Sequence, residues 1–159
     1  MQRAACPGSY DPPTQGHLDV IRRTAAIFDE VHVLVGANSA KTSLFSPEER
    51  VALLEEALAD LPGVRTSVFG GLIVDYCRDN QIGTVVKGIR GAMDLDYESQ
   101  MAQMNRAMTG LETLFLPAAP QWAAISSSLV RDIARMGGSF EQFVTPGIAA
   151  RTREKLAGL

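Results

Sequence analysis

The sequence is short of cysteine and of long apolar runs, and each shortage argues against a class of protein. Its 159 residues include two cysteines, Cys6 and Cys77, which form neither a disulfide framework nor a CxxC pair. Both lie in apolar surroundings, which is typical of core residues in a reducing compartment. No apolar run approaches the roughly 20 residues that span a bilayer, and the N-terminus lacks a signal-peptide pattern. We therefore expect a cytoplasmic protein.

An excess of positive charge is also missing. Lysine and arginine total 15 against 18 aspartates and glutamates, for a formal net charge of -3. Non-specific binding to nucleic acid or to an anionic membrane needs a basic footprint, so we expect neither partner. A single anionic ligand needs only a local cluster of donors and cations, and the composition leaves that class open.

The pattern of apolar residues predicts one α/β domain over residues 1–159. Hydrophobic residues make up 46% of the chain, and short apolar runs rich in β-branched residues alternate with longer helical patterns. This alternation predicts a doubly wound parallel five-stranded sheet with helices on both faces. The predicted strands are 3–6, 30–37, 64–69, 84–89 and 112–116. The predicted helices are 17–28, one opened by Ser46, 72–78, 93–108, 127–136 and 146–156.

The stretch PGSYDPPTQGH, residues 7–17, follows the first predicted strand and leads into a helix. Free N–H groups and the helix dipole favour an anion at such a junction. Gly16 lets a ligand approach the backbone closely, and His17 in the first turn can direct a ring N–H to the same point. The alternative is that Gly16 and His17 merely begin a helix whose histidine faces solvent.

A second candidate is ISSSLVR, residues 125–131, where three serines precede an amphipathic helix. Their hydroxyls and the free N–H groups of the helix start would form a second anion cradle. The alternative is that Ser127 is an N-cap and the other serines fill a loop.

Cations follow two other predicted strands. Lys41 lies after the second strand, and Lys87 and Arg90 belong to KGIR at the end of the fourth. Ligands of open parallel sheets bind at the carboxyl ends of the strands, so these cations and the two cradles predict a site for two anions. The alternative for each cation is a solvated side chain. No His/Cys/Asp cluster is spaced to hold a metal tightly.

These motifs carry a resemblance. TQGH near the start and ISSS near the end are similar to the signature of the nucleotidyltransferase superfamily. PGSYDPPTQGH, NSAKT, FSPEER, VKGIR, DYESQMAQMNR and ISSSLV resemble, in order and spacing, the bacterial phosphopantetheine adenylyltransferases over nearly the whole chain. The resemblance implies a Rossmann-like fold and transfer of the adenylyl group of ATP to 4′-phosphopantetheine, giving dephospho-coenzyme A and pyrophosphate in coenzyme A biosynthesis. It further implies Mg²⁺ carried by the ATP phosphates, a homohexamer, and coenzyme A as a feedback ligand.

The implied reaction explains why the sequence shows no Ser/His/Asp or Cys/His set for nucleophilic catalysis. The attacking group would be a phosphate oxygen, which is largely ionised near neutral pH, so neither a general base nor a covalent nucleophile is required. The protein would place two anions in line and stabilise charge on the α-phosphate and on pyrophosphate.

The resemblance also assigns roles. His17 would donate to the α-phosphate, and Lys41 would hold the phosphate of phosphopantetheine together with Lys87. Arg90 would bind the β- or γ-phosphate, and Ser9 would hold a reacting phosphate beside His17. The implied catalytic set is His17, Lys41 and Arg90. The implied ATP set is Ser9, Tyr10, His17, Gly88, Ile89, Arg90, Glu98, Trp122, Ala123, Ala124, Ile125, Ser126, Ser127 and Ser128. The implied phosphopantetheine set is Ser9, Lys41, Leu72, Ile73, Lys87 and Asn105.

Four positions depart from the common pattern of these enzymes. Ser9 stands where threonine is frequent and keeps the hydroxyl. Lys87 stands where arginine is frequent and loses the bidentate fork. Pro13 and Arg131 replace a larger apolar residue and a lysine.

Two other functions remain open at this stage. One is a related transferase that uses a cytidine nucleotide or another phosphate acceptor. The other is a nucleotide-binding sensor without catalysis. Outside the motifs, the stripe of Met101, Met104 and Met108 is interpreted as core or as a subunit interface, and Asp94 and Asp96 as solvated or interface residues.

Overall fold

The computed structural model describes residues 1–37 and 43–159, along which five strands and six helices follow one another. The strands are β1 (Arg3–Gly8), β2 (Glu30–Gly36), β3 (Val64–Phe69), β4 (Thr84–Ile89) and β5 (Glu112–Pro117). The helices are α1 (Gln15–Ala25), α2 (Pro47–Ala57), α3 (Ile73–Asp79), α4 (Ala92–Thr109), α5 (Ser127–Arg135) and α6 (Pro146–Ala157). Short 3₁₀ turns lie at Pro120–Trp122 and Glu141–Phe143. The predicted order of strands and helices is confirmed.

The five strands form one parallel sheet in the order β3-β2-β1-β4-β5. On one face, Val31, Val33 and Val35 of β2 pack in a cluster with residues of α1 and α2. On the other face, Leu34 packs with α3 residues such as Val74. Because β2 is covered on both sides, its sequence is an almost continuous apolar run. The predicted doubly wound fold is confirmed.

The direction of winding reverses at β1. The chain runs from β1 outward through β2 and β3, and then crosses to β4 and β5 on the other side of β1. The β1–β2 ladder runs from Arg3 to Gly8, whereas the β1–β4 ladder covers only Ala4 and Ala5 opposite Thr84 and Val85. Beyond Ala5 the two strands diverge, which opens a crevice at the topological switch point, the usual ligand site of such sheets.

The start of α2 follows its sequence signals. Ser46 accepts a hydrogen bond from the Glu49 N–H at 3.2 Å, and the Ser46 N–H donates to the Glu49 carboxylate at 2.7 Å. Pro47 occupies the first turn, where no intrahelical N–H is needed. The predicted capping box is confirmed.

One face of α4 does not pack as a core. Tyr97, Met101, Met104 and Met108 are all exposed, Met104 to 59%. The interpretation of the methionine stripe as core is therefore wrong for this chain, and the subunit-interface alternative remains a prediction. Single exposed apolar residues are ordinary, but a continuous stripe of them marks an interaction surface.

Two further expectations concern the cysteines and membrane-spanning helices. Cys6 and Cys77 are free and buried, as predicted for core residues. Within residues 1–37 and 43–159, the longest and most apolar helices fall short of what a membrane span requires.

The packing of β4 against α1 yields a test. A Cβ added at Gly88 would lie 2.7 Å from Cγ2 of Val20, whereas one added at Gly83 would meet nothing within 4 Å. We expect Gly88→Ala to lower the free energy of unfolding by about 1–3 kcal/mol, the usual range for overpacking. The matched control, Gly83→Ala, should change it by less than about 0.5 kcal/mol. Urea denaturation of both variants measures the difference, and equal stabilities would contradict the close packing.

Candidate active site

A cavity of about 630 Å³ opens over the carboxyl ends of β1 and β4. Four segments line it: the β1–α1 loop with the start of α1, the end of β4, the first turns of α4, and the connection from β5 to α5. The PGSYDPPTQGH, VKGIR, DYESQMAQMNR and ISSSLV motifs therefore meet in one place. FSPEER does not line the cavity, and NSAKT lies outside the described residues. The predicted residues that line the cavity are Ser9, Tyr10, His17, Lys87, Gly88, Arg90, Glu98, Trp122, Ile125, Ser126 and Ser127.

His17 is oriented by the cap of its own helix. The Thr14 N–H donates to Nδ1 of His17 at 3.0 Å, and the His17 N–H donates to Oγ1 of Thr14 at 3.4 Å. This is a capping box in which histidine takes the place usually held by glutamate. Because Nδ1 accepts a hydrogen bond, the proton of the neutral ring is on Nε2. His17 therefore presents an N–H donor on the side away from its cap.

The same surroundings keep His17 neutral. Burial, with a smaller contribution from the positive charge of Arg90, lowers the pKa of the imidazole from 6.5 to about 4. Near neutral pH the side chain is then a hydrogen-bond donor that carries no charge. It can stabilise a developing oxyanion without itself changing protonation state.

Tyr10 supports His17 from the loop. The two rings meet edge to face with centroids 5.0 Å apart, and the Tyr10 hydroxyl donates to the Cys6 carbonyl at 2.8 Å. Tyr10 has a φ of 53°, in the left-handed region that side chains rarely adopt. A Cβ at Gly8 would lie 2.9 Å from the Tyr10 ring, so glycine is needed there for the ring to fit.

The cations of the cavity are paired with carboxylates of α4. Nζ of Lys87 lies 3.4 Å from a carboxylate oxygen of Glu98, and Nε of Arg90 donates to Asp94 at 3.2 Å. Arg90 also donates through Nη1 to the Ile125 carbonyl at 3.1 Å. These contacts hold the two cations at the cavity wall, where an anionic ligand would compete with the carboxylates. Asp94, interpreted from the sequence as solvated or as an interface residue, is instead part of this wall.

Two of the three serines have separate side-chain roles at the start of α5. Ser126 is the N-cap, with Oγ accepting from the Leu129 N–H at 3.2 Å. Ser127 donates its hydroxyl to the Pro12 carbonyl at 2.8 Å. This bond joins the β1–α1 loop, which is the first anion cradle, to the serine segment, which is the second. The alternative that Ser127 is the N-cap is wrong by one residue. The Ser127 N–H precedes the first intrahelical bond and belongs to a residue that lines the cavity, so it is available to an anion.

Several predicted residues do not line this cavity: Leu72, Ile73, Ile89, Asn105, Ala123, Ala124 and Ser128. Leu72 is 60% exposed just before α3, and Asn105 is buried within α4. The Ile89 carbonyl accepts from the Ala118 N–H at 2.8 Å, so this backbone group is already used. Lys41 lies outside the described residues. The roles given to all these residues stay predictions.

The cavity also includes residues that sequence reasoning missed. Thr14 fixes the ring of His17, while Met93 and Tyr97 reach the cavity from α4. The signal for Thr14 was present, because a threonine three residues before His17 matches the spacing of a capping box. No local pattern distinguishes Met93 or Tyr97 from other exposed residues of α4.

Comparison with known proteins now decides the family. Residues 5–133 match the family described as Cytidylyltransferase-like. A phosphopantetheine adenylyltransferase from Nocardioides sp. is 52% identical over 157 residues, which is 99% of each chain. Those of Frankia casuarinae and Streptomyces coelicolor are 50% and 47% identical, over 99% and 98% of each chain. The chain belongs to the phosphopantetheine adenylyltransferases.

Solved structures support the fold of this family. A nicotinate-nucleotide adenylyltransferase from Vibrio parahaemolyticus superposes with a TM-score of 0.70 at 19% identity, covering 96% of this chain and 99% of that one. A bifunctional NMN adenylyltransferase/ADP ribose pyrophosphatase from Francisella tularensis gives 0.69 at 16% identity, covering 99% of this chain and 52% of that one. At such identities the likeness establishes the nucleotidyltransferase fold alone.

The low pKa of His17 predicts a titration. The folded ring should protonate at a pH of about 4 and remain the Nε2–H tautomer above it. The unfolded chain binds this proton from a pH of about 6.5 downward. Stability should therefore fall as pH decreases from about 6.5 to about 4, by roughly 1–2 kcal/mol between pH 7 and pH 5.

Two measurements check this. Nitrogen-15 NMR of the ring reports both tautomer and midpoint, and chemical denaturation of wild type and His17→Asn at the two pH values reports the linkage. The variant should lose the part of the pH dependence that comes from His17. A midpoint near 6.5, or an Nδ1–H ring, would contradict the role given to the cap.

Proposed function

We propose that this chain transfers the adenylyl group of ATP to 4′-phosphopantetheine, giving dephospho-coenzyme A and pyrophosphate in coenzyme A biosynthesis. The observation that carries the proposal is the neutral His17 donor in a cavity walled by Lys87 and Arg90. The names of relatives that are 46–52% identical over nearly their full length support the choice of substrates.

The cavity suits phosphoryl chemistry that needs no covalent nucleophile. Its one thiol, Cys6, has its pKa raised to about 12 by burial and so remains protonated. The nucleophile we propose is the 4′-phosphate oxygen of phosphopantetheine, which attacks the α-phosphorus of ATP. As the bond to the pyrophosphate oxygen breaks, charge grows on the α-phosphate and on the leaving group.

We assign the proposed roles as follows. His17 donates from Nε2 to the α-phosphate, and Ser9 holds a reacting phosphate beside it. Arg90 binds the β- or γ-phosphate, and Lys87 with Lys41 binds the acceptor phosphate. Each cation would exchange its carboxylate partner for a phosphate oxygen, since charge-assisted bonds to phosphate replace those to Asp94 and Glu98. The cradle residues and the phosphopantetheine set keep the roles that the resemblance implies.

Magnesium fits this site as a companion of ATP. Groups of three or more His, Cys, Asp or Glu side chains able to hold a metal are absent from residues 1–37 and 43–159. We propose that Mg²⁺ is held mostly by the phosphates and neutralises part of their charge.

We further propose a homohexamer that works in the cytoplasm, with coenzyme A as a feedback ligand. The exposed apolar stripe of α4 supports self-association, because Met101, Met104 and Met108 would be covered by another copy. Two free and buried thiols are compatible with a reducing compartment. The feedback role rests on the family resemblance.

A substrate assay tests the proposed reaction. The protein is incubated with MgATP and one phosphate acceptor at a time. Pyrophosphate release is followed with a coupled inorganic pyrophosphatase and detection of the phosphate formed. We expect release with 4′-phosphopantetheine and none with nicotinate mononucleotide or glycerol 3-phosphate, or when CTP replaces ATP. Release with another pair alone would identify a different transferase, and ATP binding without any turnover would favour a sensor.

His17→Ala tests the proposed donor. We expect turnover to fall by about 10²–10³-fold, the loss typical of one oxyanion donor, while ATP affinity changes little. The control is His32→Gln, which alters a histidine bonded to Tyr76 and Glu30 outside the cavity and should retain turnover. If His17→Ala kept near-normal turnover, the histidine would be reduced to a helix-start residue.

A further inference from the structure

The loop from Ser9 to Pro12 is held from behind by three ionised side chains: those of Asp11, Arg50 and Arg131. Asp11 and Arg50 are buried, at 4% and 0% exposure, and Arg131 is mostly covered. None of the three lines the cavity. Buried charges are costly unless they are paired and hydrogen-bonded, so the contacts of this group are informative.

Asp11 joins the loop to the segment before α2. Its two carboxylate oxygens accept from the N–H groups of Leu44 and Phe45, each at 2.8 Å. Hydrogen bonds from N–H groups to a carboxylate are among the stronger and more directional in proteins. The backbone that follows β2 is thereby fixed to the loop that follows β1.

Arg50 holds the loop at Ser9. It donates through Nη1 to the Ser9 carbonyl at 3.0 Å and through Nε to the Phe45 carbonyl at 2.9 Å. Its Nε lies 3.8 Å from the Asp11 carboxylate. Ser9 itself lines the cavity. The buried Arg50 therefore holds the backbone of a cavity residue without lining the cavity itself.

Arg131 joins the loop to α5. Its Nη1 donates to the Asp11 carbonyl at 2.5 Å, and Ser127 donates to the next carbonyl, that of Pro12. The second cradle is therefore attached to the first through two consecutive carbonyls. A change at Arg131 would remove one of these two contacts without removing any group that lines the cavity.

We propose that Asp11, Arg50 and Arg131 are positioning residues. They keep the loop from Ser9 to Pro12 and the serines at the start of α5 at the separation that the in-line reaction needs. They act on Ser9 and Ser127 through the backbone and touch neither substrate. This inference rests on the proposed function. It accounts for the aspartate of PGSYDPPTQGH and for the arginine of ISSSLVR, which the site otherwise leaves unused.

The test compares Arg131→Met with Arg131→Lys. Methionine keeps bulk and loses the donor, whereas lysine keeps a donor for the Asp11 carbonyl. A misplacement of about 1 Å costs on the order of 10²-fold in rate, so Arg131→Met should lower kcat by about 10–100-fold. We expect the KM values for MgATP and 4′-phosphopantetheine, and the calorimetric Kd for MgATP, to stay within about 3-fold, and Arg131→Lys to recover most of kcat.

Two further variants complete the design. Asp11→Asn approaches the same contacts from the loop and should show the same split between kcat and KM, which keeps the test open if Arg131→Met folds poorly. The matched control is Lys155→Met, which breaks an ion pair between Lys155 and Glu49 at 2.7 Å, away from the cavity. It should lower Tm without changing kcat.

Each outcome decides between roles. A lowered Tm with wild-type kcat in Arg131→Met would overturn the inference, because Arg131 would then contribute to stability alone. A tenfold loss of MgATP affinity at unchanged kcat would also overturn it, because Arg131 would then be a direct phosphate ligand. Wild-type protein without turnover would overturn the proposed function as well, whereas an active wild type with equally active variants overturns the inference alone.

Discussion

The divergence of β1 from β4 beyond Ala5 and Val85 is the constraint on which the rest of the structure depends. Adjacent parallel strands that remained paired would leave no space between their ends, because strands lie under 5 Å apart. Here the ladder ends early, and the crevice receives the β1–α1 loop from one side and the β4–α4 turn from the other. Gly88 allows α1 to pack closely against β4 beside this crevice, since a side chain there would meet Val20 of α1.

Within the crevice the donors are oriented before any ligand arrives. The cap of α1 directs His17, Asp94 and Glu98 hold the two cations, and the loop backbone is held by the buried charges behind it. Donors arranged in this way need little reorganisation as charge develops, which is the main source of electrostatic stabilisation in enzymes. Much of the machinery is thus structural support for a few groups at the surface of the cavity.

Much of the fold could be predicted because its signals are local. Buried parallel strands are continuous apolar runs, and the start of α2 is signalled by a serine, a proline and a glutamate within four residues. The candidate site was partly predictable for a similar reason: residues that follow strands of a parallel sheet meet at one edge. The topology brings His17, Lys87, Arg90, Ser126 and Ser127 to one cavity. The resemblance to a known family added the substrates, which no local pattern contains.

Other features depend on contacts between residues far apart in the chain. Whether the methionines of α4 are core or surface depends on what packs over that helix, and the periodicity of an apolar stripe is the same in both cases. Similarly, Asp11 meets Leu44 and Phe45 more than 30 residues away, and Arg131 meets Asp11 across 120 residues of chain. The sequence by itself therefore determined the order of elements and the chemistry at the strand ends. Only the tertiary structure decided which charges pair and whether the methionines of α4 are covered, because both depend on which distant residues folding brings together.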